Sequence, residues 1–257
     1  MLGPATATSA EMTSVFLEEL TWTELRDAIG AGKTTAIVPI GGTEQNGPAM
    51  AIGKHNVRVK VLAGKIASTL GDAIVAPVMA YAPEGEVDPP TAHMRFPGTL
   101  TIPDAVFENV LEWTAKSLRH SGFRTIVFIG DHGGYQKDLA AVAEKLNRQW
   151  VKSDARAFDI ADYYRVTQTD YVQALKDHGA RDNEIGTHAA LADTSLMLAV
   201  DPRLVRADRL AALARRDEAS GVYGGSPERS SPELGQLGVD LIVLRTVAAI
   251  RKAAARQ

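Results

Sequence analysis

TTAIVPIGG, residues 34–42, is a compact β-branched run that closes on a glycine pair. A continuous apolar run of that length suits a strand buried on both faces of a sheet. The pattern recurs in DAIVAPVMAY (72–81) and RTIVFIGDHGG (124–134), and ARAFDIADYY (155–164) reads as a fourth strand with its exit loop. Helical patterns lie between them: NVRVKVLAGKIASTL (56–70), DAVFENVLEWTAKSLRHS (104–121) and residues 136–152. Ahead of the first strand, residues 15–32 read as a short segment and then a helix. Thr21 or Thr23 caps it, Glu24 sits in its first turn, and Gly30 and Gly32 end it. Strands alternating with helices of this kind predict an α/β fold, a mostly parallel sheet flanked by helices on both faces. Ligands of such sheets bind outside the carboxyl ends of the strands. Two polar loops sit there, IGGTEQNGP (40–48) and GDHGGYQ (130–136).

The 257 residues are enough for a sizeable core, and 45% hydrophobic content excludes disorder as the main state. A net charge of −3 with no basic block leaves no electrostatic footprint for nucleic acid. No apolar run reaches the roughly 18 residues of a membrane span. Residues 1–14 are expected to be a flexible start, and 15–257 a single domain. The first dozen residues have neither a cationic nor an apolar signal region. A cytoplasmic location is expected, or a periplasmic one if a leader has been removed. Residues 218–238, rich in Gly, Ser and Pro, read as a long irregular loop before a final helix over 239–256.

The chain has no cysteine and six histidines, so a metal ion must be held by imidazole, carboxylate or backbone oxygen. Glu44 follows the first strand. His55 sits in GKHN before a helix, and His132 follows the third strand between Asp131 and a glycine pair. His188 enters the apolar segment THAALADTSLMLAV, where a spacing of five keeps Asp193 off its helical face. His120 and His178 read as solvated. One carboxylate and two or three imidazoles suit a zinc-type ion with an open coordination position. Phosphate-binding glycine motifs and the GxSxG elbow are missing.

Several motifs together resemble the creatininase (creatinine amidohydrolase) family. PIGGTEQNGPAMAIGKHN (39–56) is similar to the family's P-x-G-S-x-E-Q-H-G-P-H-L-P-L-x-T-D. HMRFPGTLTI (93–102), FIGDHGG (128–134), THAALADTSLMLAVDPRLV (187–205) and GSPERSSPELG (225–235) follow in family order. The resemblance implies a three-layer creatininase-like α/β sandwich, homohexamers built as trimers of dimers, and two metal ions. Here the sequence departs from the family. Glu44 and His132 keep their family types, but Asn46 stands for a histidine, His55 for the bridging aspartate and Gly134 for an acidic residue. The second histidine of the first motif is Ala49. The resemblance therefore implies one divalent ion per chain, zinc first and manganese next, on Glu44, His55 and His132. His188 matches the family's proton-handling histidine, Asp193 would orient it, and Asp131 would support the site.

The expected activity is metal-assisted hydrolysis of a non-peptide C–N amide bond, cyclic or linear, in a small amide or lactam other than creatinine. Glu84, Glu86, His93, Arg95, Asp131 and Tyr135 are candidate substrate contacts, and the apolar run Ala49–Ile52 a candidate pocket wall. A lactonase or other metal hydrolase, or a non-catalytic binding protein retaining the fold, remains the alternative.

Overall fold

Thr35–Ile40 forms β1 and Thr125–Gly130 forms β3, each buried along its whole length. They pair in parallel from Thr35 opposite Thr125 to Ile40 opposite Gly130. The short strands β2 (Ala73–Val75) and β4 (Arg156–Asp159) flank them, giving a parallel sheet of order β2-β1-β3-β4. The computed structural model describes residues 14–215 and 218–255; the expectation for 1–14 falls, apart from Ser14, outside the described residues.

Side chains alternate across the pleat. Ile37, Val127 and Ile129 pack on one face against α2 (Lys54–Leu70) and other helices, while Ala36, Val38, Ile126 and Phe128 meet α3 (Asp104–Ser121) and α4 (Gln136–Gln149) on the other. This is the expected three-layer sandwich. Ahead of it, α1 (Trp22–Gly30) starts at a capping box in which Thr21 and Glu24 satisfy each other's backbone N–H groups. The predicted run 72–81 pairs over only three residues, because Pro77 has no N–H to continue a ladder. Pro39 is tolerated in a central strand for a related reason. Its carbonyl accepts from Met79 N–H (3.0 Å), so its missing donor faces the side where β2 has ended.

Five short or medium helices follow β4: α5 (Asp162–Gln168), α6 (Asp170–Asp177), α7 (Asp182–Ile185), α8 (Leu191–Val200) and α9 (Ala207–Leu210). The last helix, α10, runs Pro232–Ala254, starting seven residues before the predicted 239. Ser231 caps it by accepting from Leu234 N–H, with Pro232 in the first turn. Its early glycines read as loop but are contact points: a Cβ at Gly235 would overlap the Ser195 carbonyl, and one at Gly238 would crowd Leu196 and Tyr171. Gly235→Ala is therefore expected to push α10 off α8 and destabilise by about 2–3 kcal/mol, despite alanine's better helix propensity. An unchanged denaturation midpoint would contradict that packing. Among the described residues, no helix is long and apolar enough to cross a membrane.

The strand order also locates the ligand crevice. The chain leaves β1 toward β2 in one direction, then returns past β1 to β3 and β4 in the other. The reversal lies between the carboxyl ends of β1 and β3. The loops carrying Glu44 and Asp131–His132 both open there.

Candidate active site

Gly42 turns the chain at the end of β1 with φ +143°, and a Cβ there would collide with Glu84. The turn sends Glu44 inward, where it is fully buried. Its Oε1 lies 2.7 Å from His55 Nε2, 3.6 Å from His188 Nδ1 and 3.8 Å from Lys54 Nζ. Its Oε2 lies 3.2 Å from His93 Nε2 and 3.5 Å from His132 Nε2. Four imidazoles from four separate segments thus surround one carboxylate. His93 also lies against His188, with ring centroids 4.5 Å apart. A cleft of about 220 Å³ opens beside them, its farther walls including Tyr164, Tyr171 and Thr187.

A second ring of charge holds the first. Asp131 accepts from His55 Nδ1 (2.6 Å), Arg58 Nε (2.9 Å) and the Tyr163 hydroxyl (2.8 Å). Arg58 also reaches Asp193 Oδ1 at 2.5 Å, and Asp193 Oδ2 pairs with Lys54 and accepts from Ala189 N–H (2.9 Å). Lys54 and Arg58, four residues apart, lie one above the other on α2 and both point inward. Their charges meet those of two buried aspartates. Burial alone would raise Asp193 and Asp131, but Lys54 and Arg58 outweigh it for the first, and Arg58 and His55 for the second. Both stay below the usual carboxylate range.

Gln45 sets the histidine tautomers. Its Oε1 accepts from Gly47 N–H (2.8 Å), which fixes the amide orientation. Its Nε2 then donates to Gly221 O (3.0 Å) and His93 Nδ1 (3.1 Å). His188 Nε2 lies 3.0 Å from the Gln45 backbone carbonyl, which can only accept, so the proton is assigned to Nε2 and Nδ1 keeps its lone pair toward Glu44. Burial pushes His188 down to about 3 and His132 down to about 4, so both rings are neutral at pH 7. Burial lowers His93 as well.

Burial would raise Glu44, yet His55 and Lys54 together hold it well below the usual carboxylate range. Glu84 shows the opposite: burial, and then the Glu44 charge, push it up to about 9. Glu44 Oε2 and both Glu84 carboxylate oxygens are buried with no protein donor. Such oxygens are what a divalent cation satisfies. Two donor sets among the described residues bring their atoms within 4.8 Å, Glu44–His93–His188 and Glu44–Glu84–His132. The cluster therefore fits a divalent ion.

Residues 18–250 match the family model for creatininase, creatinine amidohydrolase. The chain belongs to the creatininase family. It is 27% identical to a creatinine amidohydrolase of Pseudomonas putida over 77% of this chain and 76% of that protein. It is 36% identical to a mycofactocin precursor peptide peptidase of Mycolicibacterium smegmatis, over 43% of this chain and 44% of that one. A solved creatinine amidohydrolase (creatininase) superposes with TM-score 0.77 at 25% identity, covering 94% of this chain and 98% of that one. A manganese creatininase (TM-score 0.75) and a mutant of Zn–Zn type (0.74), both 26% identical, each cover 94% of this chain, and 99% and 98% of their own lengths.

Within this creatininase-family chain, the structure brings Glu44, His55, His132, His188, Asp131 and Asp193 together, with Glu84 and His93 beside them. His55, expected as a ligand, has both ring nitrogens engaged by carboxylates, Glu44 on one side and Asp131 on the other. Asp193, expected to orient His188, holds the neighbouring Ala189 N–H (2.9 Å), and its charge acts on the ring. Tyr135 is corrected from substrate contact to structural tie. It is fully buried, and its hydroxyl accepts from Asp131 and His132 N–H and faces the carbonyls of Ile40 and Gly41. Glu86 and Arg95 are exposed, away from the cleft. The apolar run does not wall the pocket: Ala49 and Met50 pack against Met197, Val205 and Val222 in a separate core. Asn46 pins its own loop, donating to the carbonyls of Glu44 (2.9 Å) and Ala51 (3.0 Å). His120 and His178 are exposed, as expected. The sequence reading missed Lys54, Arg58 and Gln45.

Proposed function

We propose that this chain is a metal-dependent amidohydrolase that cleaves a non-peptide C–N amide bond, cyclic or linear, in a small amide or lactam other than creatinine. The observation that carries the reading is the buried Glu44 carboxylate amid neutral imidazoles at the mouth of a cleft, in a chain whose relatives include a creatinine amidohydrolase. Glu44 and His132 are the core of the ion site, with zinc the first choice, manganese the second, and one ion per chain. A bound divalent ion lowers the pKa of water and polarises a carbonyl. His188 Nδ1 is placed to take a proton, and its Nε2–H is anchored on the Gln45 carbonyl. His55 holds Glu44 from one side and is itself held by Asp131. His93 closes the side of the cluster where the substrate enters. Creatinine is set aside because Asn46 and Gly134 stand where the family pattern has a histidine and an acidic residue. Assembly as a homohexamer and a cytoplasmic location complete the proposal.

The test is a panel of amides, lactams and lactones assayed before and after dialysis against a chelator. Turnover of an amide or lactam should vanish with the metal and return with Zn²⁺ or Mn²⁺. Turnover that ignores the chelator would overturn metal dependence, and turnover of lactones alone would move the activity to the lactonase class.

A further inference from the structure

Glu84 reaches the cluster from an unexpected direction. It lies in the irregular segment after β2, an edge strand, whereas Glu44 and His132 follow the two central strands. Its backbone N–H donates to Thr101 Oγ1 (3.0 Å), which pins that segment. The side chain is fully enclosed, its Oε2 lies 3.6 Å from His132 Nδ1, and neither carboxylate oxygen has a protein donor. Gly42 leaves space for it, since any Cβ there would strike Glu84 Oε1. Gly134 has no side chain to offer; its N–H donates to His132 Nδ1 (3.2 Å), and among the described residues the ring meets carboxylates at Glu44 on its Nε2 side and at Glu84 on its Nδ1 side.

The positive charges nearby are paired with other carboxylates, and Lys54 offsets the burial of Glu84 only in part. Lys54 faces Oε1 of Glu44 and is paired with Asp193, and Arg58 is spent on Asp131 and Asp193. Two carboxylates and an imidazole, with three carboxylate oxygens undonated, make a hard donor set that matches one divalent cation once both carboxyl groups are ionised.

We propose that Glu84 is a ligand of the divalent ion together with Glu44 and His132, supplied by the edge-strand segment rather than by the loops of the central strands. This assignment rests on the metal-dependent reading above. It makes Glu84 part of ion retention rather than substrate recognition, and it places the ion on the Oε2 side of Glu44, away from Lys54.

Glu84→Gln keeps the shape and removes the charge. The measurement is the affinity of chelator-stripped protein for Zn²⁺ and Mn²⁺, by competition with a chromophoric chelator, together with the rise in melting temperature on adding each ion. Glu84→Gln should weaken binding by at least about 100-fold and shrink the ion-induced rise in melting temperature, with the melting temperature of the stripped protein at or above wild type. If Glu84→Gln binds both ions as wild type does while His132→Ala does not, the assignment of Glu84 is overturned and the metal-dependent reading stands. If wild-type protein binds neither ion, that reading falls and this assignment falls with it.

Discussion

Glu44→Gln is expected to lower turnover by at least about 10³-fold, a loss of roughly 4 kcal/mol of transition-state stabilisation, while the far-ultraviolet spectrum stays that of wild type. The size follows from how many groups use the one carboxylate. His55, His93, His132, His188 and Lys54 all lie within 3.8 Å of its two oxygens. An amide in its place keeps the volume but loses the charge that holds a cation, and it turns an N–H₂ donor toward rings arranged around an acceptor. The ion site and the seat of His55 are lost together, so the effect is larger than that of removing one hydrogen bond. Turnover within tenfold of wild type on any substrate found in the panel would show that Glu44 does not serve the reaction.

Arg58→Ala is expected to cost about 3–5 kcal/mol of stability and to lower the melting temperature by about 10 °C. Arg58 is buried and bridges two buried carboxylates, with Asp131 at 2.8 Å and Asp193 at 2.5 Å. Opposing forces act on the guanidinium: burial would lower its pKa, and the two aspartates more than reverse that. Removing it strands negative charge in the interior, which costs far more than the intact arrangement contributes. Arg58→Lys should recover only part of the loss, because one ammonium cannot fork between two carboxylates as a guanidinium does. Equal melting temperatures for Arg58→Ala and wild type would mean the aspartates find other partners or water.

The sheet was legible because its signal is local. Runs such as 34–42 and 124–134 are apolar throughout, and only a strand covered on both faces uses such a run. The loops after them were legible for the same reason, being polar where the apolar pattern stops. Lys54 and Arg58 were not. On a helix with many polar residues they look like an ordinary solvated face, and the carboxylates that draw them inward lie 73 to 139 residues away. Asp193 was noticed, but its ion-pair partners Lys54 and Arg58 were not, because they lie 139 and 135 residues away in the chain. Tyr135 was read by its place in a polar loop, while its hydroxyl is consumed by the backbone of that loop and of β1. The start of α10 was hidden because Gly235 and Gly238 have the composition of a loop and the function of a close contact.

The Gln45 amide has a kinetic consequence. Its Nε2 donates to partners 48 and 176 residues away in the chain, at His93 and Gly221, and the Gln45 backbone carbonyl accepts from His188, 143 residues away. The parallel sheet closes with β4 by residue 159, but the clamp that orients the imidazoles needs loops that arrive much later. Closing long loops costs entropy before any contact repays it, so distant pairings form slowly and late. During synthesis, then, the chain acquires its sheet well before it acquires ordered chemistry, and a nascent chain ending short of Gly221 holds the histidines without the full clamp that aims them.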